Sequence, residues 1–383
     1  MERIFSLHRQ EFGADPLVVA EAPGSIHLLG NRTDCEPGSV LAVNTDRRIS
    51  AAISFRNDLN FHFCFHDLGE SRHSGIANNK FRKEDRWANY AKGVLYRLSD
   101  MGFNIHGLDI SLFGELPKGT GISFNLSVSA AVLTGVNSLL DLGLSTGQMA
   151  DIIFWCEQVY IGEGECATSA YGMLDGNDGA MTFADFRTGI SEIIPFDDPE
   201  ARIVVTVSNV PAVLDVAGNA ERKKYISKAV SVINANKSVL DRYFRISDFR
   251  ELLVSYPDKI KRCCIHMAEE SKRALDGAEL LRQRRFAEFG KLLNRSHESL
   301  RDNFEISCPE LDWLVKRAQE TAGVYGSRML GSSFGGSTVA IIKEQAVKSY
   351  LKKLEEYERI FGFRTKVFVS SPSKGAGIIY SAH

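Results

Sequence analysis

Apolar residues recur along the chain with two different periods, and the change from one to the other divides it. Residues 17–21 and 40–55 are β-branched and apolar runs broken by turn residues, and 59–66 alternates Phe61, Phe63 and Phe65 with polar or small neighbours. Such runs predict strands. Another short apolar run covers 110–113. A Gly-rich turn then leads into 126–142, where Val128, Ala131, Val132, Val136, Leu139 and Leu140 recur at helical spacing. A second helix is predicted over 146–161, and strand character returns at 180–183 and 203–210. Beyond that the chain reads mainly as amphipathic helices, over 221–236, 256–275, 278–297 and 309–321. Strand-like runs at 337–342 and 365–369 flank one more helix, 344–357. The change of pattern puts a boundary near residue 200, with 1–200 as one domain and 201–383 as the other.

Length supports that division, since 383 residues exceed what one compact core usually takes. Hydrophobic residues are 44% and charged residues 25%, so a large core can be buried. Lys and Arg number 46 against 48 Asp and Glu, a formal net charge of −2. No global field draws polyanions, which argues against nucleic acid as the main partner. The seven cysteines form no Cys-x-x-Cys pair, so neither a disulfide framework nor a structural zinc site is expected, and reduced thiols in a cytoplasm fit best. Glu2, Arg3, Arg9, Glu11 and Asp15 break up any signal-peptide core, and no apolar run is long enough to span a bilayer, so no membrane partner is expected.

Four segments carry candidate chemistry. Pro117-Lys-Gly-Thr-Gly-Ile-Ser-Phe-Asn-Leu-Ser127 lies between a strand-like run and an apolar helix. Its glycines let the backbone bend, and the first-turn N–H groups of the helix point outward at the positive end of its dipole, a cradle suited to phosphate. An ordinary strand-to-helix turn is the competing reading. The loop within 22–38 gathers Asn31, Arg32, Thr33, Asp34 and Glu36 between apolar runs, which suits either a small hydroxylated ligand or a polar turn. Tyr171-Gly-Met-Leu-Asp-Gly176 offers Asp175 as a general base or as a turn residue. Arg328-Met-Leu-Gly-Ser-Ser-Phe-Gly-Gly-Ser337 suits close approach to phosphate oxygens or a tight hairpin.

Taken in order, these segments resemble the GHMP small-molecule kinases, and specifically their galactokinase branch. Residues 22–38 are similar to the first signature, A-P-G-R-V-N-L-I-G-E-H-T-D-Y-N-G-G, and 117–127 to the second, P-x-G-x-G-L-S-S-S-A-S. Residues 171–176 are similar to C-G-I-M-D-Q, and 328–337 to R-M-T-G-G-G-F-G-G-C. Trp87-Ala-Asn-Tyr-Ala-Lys-Gly-Val94 and residues 296–312 also read like galactokinase segments, so the resemblance spans nearly the whole chain.

The resemblance implies an α+β, two-domain GHMP kinase fold: an N-terminal lobe like domain 2 of ribosomal protein S5 and a ferredoxin-like C-terminal lobe, with ATP and sugar meeting between them. The implied reaction moves a phosphoryl group from MgATP to the anomeric hydroxyl of a hexose. Asp175 would be the base for the C1 hydroxyl; Asp34 and the Gly172 N–H would bind sugar hydroxyls. Gly119, Gly121, Ser123, Asn125 and Ser127 would cradle ATP, with Trp87 as a wall for the adenine or as core packing. Glu157 would hold the magnesium, with Asn125 as a second ligand. A monomer is expected.

The departures fall in the active-site motifs. The arginine of A-P-G-R is Ser25 here, and loss of such a donor typically costs roughly a hundred- to a thousandfold in rate. The glutamate and histidine that bind galactose are Asn31 and Arg32, and the tyrosine of Y-N-G-G is Cys35. The serine run of the second signature reads Ser123-Phe-Asn-Leu-Ser127, two glycines of the third are Ser332 and Ser333, and Gly218 and Asn219 stand where the family has a sugar-contacting tyrosine. Two readings follow. One is a sugar 1-kinase acting on galactose or a related, even acidic, sugar, with Arg32 binding substrate and supplying the missing catalytic charge. The other is a catalytically silent family member that binds sugar or nucleotide or works through a partner; the retained Asp175 and Glu157 weigh against it.

Overall fold

The computed structural model describes residues 1–30, 38–114, 116–117, 119–162, 167–185, 188, 190–211, scattered positions between 224 and 235, 253–331 and 336–382. A short helix α1 (Glu2–Phe12) precedes β1 (Val18–Leu29), β2 (Ser39–Phe55), β3 (Asn60–Phe65), β4 (Glu70–Gly75), helix α2 (Ala88–Asp100) and β5 (Leu108–Phe113). Helices α3 (Phe124–Leu139), α4 (Thr146–Trp155) and α5 (Ala167–Asp175) follow, then β6 (Ala180–Asp185) and β7 (Ile190–Pro195). After β8 (Ala201–Val207) come the long helices α6 (Asp258–Arg282), α7 (Phe286–Asp302) and α8 (Pro309–Gln319). The chain ends on β9 (Val324–Leu330), β10 (Ser337–Lys343), α9 (Val347–Phe361), β11 (Lys366–Ser370) and β12 (Gly377–Ser381).

Two sheets organise these elements. The first has the order β12-β1-β2-β5-β3-β4, with β6 on the early part of β2 and β7 beyond it. The second is antiparallel, β11-β8-β10-β9. Alternation along its inner strands explains how the lobes join. Ile203 and Val205 of β8 and Val339 and Ile341 of β10 enter the core shared with the first sheet, while Val204, Ala340 and Ile342 enter a separate core under α8 and α9. The lobes are thus welded by an apolar seam.

The chain changes sheet between Pro195 and Ala201, at the expected boundary, but the last strand does not stay in the second lobe. β12 pairs antiparallel with β1, Val18 opposite Ser381 and Glu21 opposite Gly377, so residues 377–381 belong to the first sheet and not with the 201–383 unit to which the sequence assigned them. Other expectations shift by smaller amounts. The helix expected over 146–161 widens into a π turn, Cys156–Ile161, after α4. The helices expected at 256–275 and 278–297 are divided at 283–285 instead, because Gly277 is an internal contact of α6: a Cβ there would press on Leu29 and Phe289. The sequence does not predict helices α1, α2 and α5 or strands β4, β7, β9 and β12, and of the helix expected at 221–236 the described residues, 224, 225, 227–229, 231, 232 and 235, are helical, the others lying outside the described residues. No helix among the described residues is long and apolar enough to cross a membrane.

Helix α7 lies directly on β9, backbone against backbone, because Gly290 and Gly326 face each other; a Cβ on either would fall inside the other residue's main chain or its neighbour's. Ser296 and His297 of α7 are both buried, Ser296 Oγ donating to Glu270 of α6 and His297 Nδ1 accepting the Met329 N–H of β9. Gly326→Ala should therefore cost about 3 kcal/mol by overpacking and lower the thermal unfolding midpoint. An unchanged midpoint would mean that α7 does not rest on β9.

Candidate active site

Strand β1 is the axis of the site. Its Ser25 N–H donates to Ile122 O in the Gly-rich turn at 3.3 Å, and Ser25 pairs across the ladder with Asn44 of β2. Gly24 permits the first contact, since a Cβ there would press on Ile122 and Leu116. On the opposite side, Asn44 Nδ2 donates to Gly172 O in α5 at 2.7 Å. The Gly-rich turn and α5 are therefore both tied to the Ser25–Asn44 pair of the β1–β2 ladder.

The turn is built from left-handed residues, Gly119 at φ +71°, Gly121 at +79° and Ser123 at +52°. Ser123 is the N-cap of α3 without a side-chain cap bond, so the first-turn N–H groups remain turned to the mouth of the loop. Ser127 points elsewhere: its hydroxyl donates to Pro23 O at 2.7 Å and to Ser123 O at 3.1 Å, and the residue is fully buried. It ties loop to β1 and cannot offer its hydroxyl to a phosphate, contrary to expectation. Asn125 is exposed and gives Nδ2 to the Tyr90 hydroxyl at 2.7 Å, which leaves its amide oxygen as the outward acceptor. The loop also touches the second lobe. Ser337 Oγ donates to Thr120 O, and Gly121 lies against Gly331 N and the Leu330 Cβ.

Asp175 is the exposed last residue of α5. The segment before β12 wraps this helix end, with Gly375 N–H on Gly176 O at 2.6 Å, Ala376 N–H on Met173 O at 2.7 Å and Ser373 N–H on Asn44 O at 3.0 Å. Gly172 is buried inside α5, where helix geometry commits its N–H to the preceding turn. Its part is the carbonyl given to Asn44 and a surface without a side chain against Thr182, in place of the expected sugar contact.

Glu157 is buried in the π turn next to Cys156, whose thiol burial pushes well above its ordinary pKa. Cys156 Sγ donates to Tyr90 O at 3.7 Å, so Tyr90 anchors the π turn by its carbonyl and Asn125 by its hydroxyl. Trp87 is a core residue and not an open wall: it is 3% exposed, donates its indole N–H to Glu70 Oε2 at 2.9 Å and meets Phe65 edge-on at 5.3 Å. The ring stack continues outward from Trp87 to Phe124, which is 6% exposed. Phe65 stacks on Phe124 at 5.6 Å with planes 12° apart, and both line a cleft of about 400 Å³ between the lobes, with Leu68, Leu116, Pro117, Val207 and Phe368. Arg47, Asp67 and Lys366 stand at its rim. Sequence reading missed this cleft because Phe65 and Phe124 look like core residues; the visible signal was Phe124 replacing a serine of the second signature.

Asn31, Arg32 and Asp34 lie outside the described residues, as do Ser332, Ser333, Gly218 and Asn219. Ser25 is fully buried, and its Oγ meets no hydrogen-bond partner among the described residues. Besides the loop residues, one buried cluster was missed. Glu270 of α6 and Arg328 of β9, both fully buried, form an ion pair of 3.2 Å beneath the end of β1. Its signal was present, since Glu270 falls on the buried stripe of α6 with Cys263, Met267, Ala274 and Leu281.

Comparison with known proteins adds the following. The profile of the GHMP kinases N terminal domain matches residues 89–173, that of the GHMP kinases C terminal domain matches 278–359, and the galactokinase galactose-binding signature matches 6–55. A Treponema pallidum protein provisionally named galactokinase is 33% identical over 99% of this chain and 97% of its own length. A galactokinase of Fusobacterium nucleatum is 30% identical over 93% of each chain. The crystal structure of Lactococcus lactis galactokinase complexed with galactose superposes with a TM-score of 0.90 at 24% identity, covering 98% of both chains. Mevalonate kinase of Methanococcus jannaschii has the same fold, with a TM-score of 0.65 at 14% identity over 93% of this chain and 98% of that one.

The loop geometry separates two glycines. Gly119→Ala meets only the left-handed penalty, about 1 kcal/mol, because open space surrounds its Cβ position. Gly121→Ala adds a collision with Gly331, so urea unfolding should show it at least about 2 kcal/mol more costly. Equal costs would mean that the loop does not rest on the second lobe.

Proposed function

The chain belongs to the galactokinases of the GHMP kinase family, and from that premise we propose that it is an ATP-dependent sugar 1-kinase acting on galactose or a closely related sugar. The observation that carries this reading is the arrangement about β1: the Gly-rich turn and the helix that ends in Asp175 are tied to one strand pair, the turn through Ser25 and the helix through Asn44. A phosphate cradle and a base anchored on one strand pair suit the transfer of one phosphoryl group.

In this reading the adenine enters the apolar cleft lined by Leu68, Leu116, Phe124 and Phe368, the role first assigned to Trp87. The phosphates run to the first turn of α3, where backbone N–H groups of 124–126 and the helix dipole receive them. The sugar lies by the end of α5, beside Asp175. Asp175 accepts the proton of the C1 hydroxyl as its oxygen bonds to the γ-phosphorus; the bond from that phosphorus to the β–γ bridging oxygen breaks, and ADP leaves. Arg32 supplies positive charge toward the transferring group, in place of the arginine that is Ser25 here.

The donor set suits magnesium. Glu157 is a buried carboxylate, and Asn125 has its Nδ2 committed to Tyr90, so hard oxygens are what the two side chains present. Glu157 and Asn125 would hold the ion, which when bound offsets charge on the phosphate oxygens. A role limited to binding gives Asp175 and Glu157 nothing to do.

The test is ATP-coupled phosphorylation across neutral, acidic and amino hexoses. Turnover on at least one sugar is expected, with Asp175→Ala lowering kcat by about a hundred- to ten-thousandfold while KM for ATP stays nearly unchanged. Absence of turnover on every sugar, or full activity of Asp175→Ala, would refute the assignment.

A further inference from the structure

Residues 371–376 carry the chain from β11 in the second lobe back to β12 in the first, and on the way they cover the end of α5. The last carbonyls of a helix have no partner inside it, and here the donors come from elsewhere. Ala376 N–H donates to Met173 O at 2.7 Å and Gly375 N–H to Gly176 O at 2.6 Å, while Asn44 Nδ2 serves Gly172 O at 2.7 Å. The contact is backbone on backbone. A Cβ on Gly375 would fall on the Leu174 carbonyl, and one on Gly176 would fall on Asn44 Nδ2 and Gly172 O. The helix end that carries Asp175 is therefore shaped by the segment laid across it.

Arg48 of β2 holds that segment. Its Nη1 donates to Ser373 Oγ at 3.2 Å and Lys374 O at 3.0 Å, and its Nη2 donates to Gly375 O at 2.5 Å. Glu21 of β1 orients the guanidinium, with Oε2 3.4 Å from Arg48 Nε, and Ser50 Oγ donates to the other carboxylate oxygen at 2.8 Å. Asp178 adds a second hold by accepting the Lys374 N–H at 2.8 Å. A planar fork of N–H donors suits three acceptors on three successive residues, which a single ammonium does not. Arg48 also stands opposite Pro23 in the β1–β2 ladder, and Pro23 O accepts the Ser127 hydroxyl of α3. One rung of the ladder thus carries a tie to the phosphate loop on one strand and a tie to the cover of α5 on the other.

We propose that Arg48 is a positioning residue for the base: by fixing residues 373–375 on the end of α5, it sets the place of Asp175 relative to the Gly-rich turn. This rests on the sugar-kinase reading. Arg48 acts through Asp175 and is not itself a catalytic residue.

The experiment measures kcat and both KM values in the full-length enzyme, together with thermal unfolding. Arg48→Met should lower kcat about ten- to a hundredfold, the cost of a misplaced reacting group, with KM for ATP and for sugar within about twofold of wild type. Arg48→Lys should recover part of the loss. In the Asp175→Ala background, Arg48→Met should lower the residual kcat by no more than about twofold, because a residue that acts through the carboxylate has nothing left to act on. Should Arg48→Met fail to fold, Asp178→Ala decides, since it loosens the same segment from an exposed position; it should lower kcat about threefold with the same loss of effect beside Asp175→Ala. Unchanged kcat in folded variants, or equal losses with and without Asp175, overturns the positioning role while leaving the kinase assignment intact. No turnover by the wild type on any sugar removes the assignment and the inference with it.

Discussion

A carboxylate taken wholly out of water constrains much of this molecule. Burying Glu270 costs several kcal/mol unless its oxygens are met by cations and donors, and the fold meets them with Arg273, Arg328, Ser296 and Gly30. These come from α6, β9, α7 and the end of β1, so four elements from two lobes must converge on one point. The glycine contact between α7 and β9 brings Ser296 within reach, and Gly277 lets α6 lie against Leu29. Apolar packing alone would tolerate some sliding of one lobe on the other. A set of directed bonds to two carboxylate oxygens tolerates far less.

Much of the site was legible because its chemistry is local in sequence. A Gly-rich turn ahead of an apolar helix announces its bend and its free N–H groups, and the structure places Gly119, Gly121 and Ser123 as left-handed residues there. What could not be read depends on partners far apart along the chain. Arg328 stood in a recognised motif, yet its partner is 58 residues earlier, in a helix where one glutamate among Glu269, Glu270 and Lys272 looks like ordinary surface charge. Trp87 and Ser127 were misread for the opposite reason. Both sit in motifs, but local pattern does not say which way a side chain points, and each turns inward, to Glu70 and to Pro23.

The altered second signature takes on a physical meaning in the cleft. A serine would offer a hydroxyl at the start of α3; Phe124 offers a ring that extends the edge-to-face contact of Trp87 and Phe65 into a stack. A polar position has been exchanged for an apolar one at the start of α3. The first signature changes in a parallel way, since Ser25 withdraws from the site into the interior.

The return of β12 to β1 has a consequence in time. During synthesis at about 5–20 residues per second, roughly 20–70 s separate the emergence of β1 from that of β12. Until then β1 is an edge strand, and the end of α5 lacks the segment that wraps it. An open apolar edge is a template for pairing with other chains. The first lobe can collapse early, but its sheet closes only when nearly the whole chain has been made, which leaves the nascent protein exposed to aggregation for most of its synthesis.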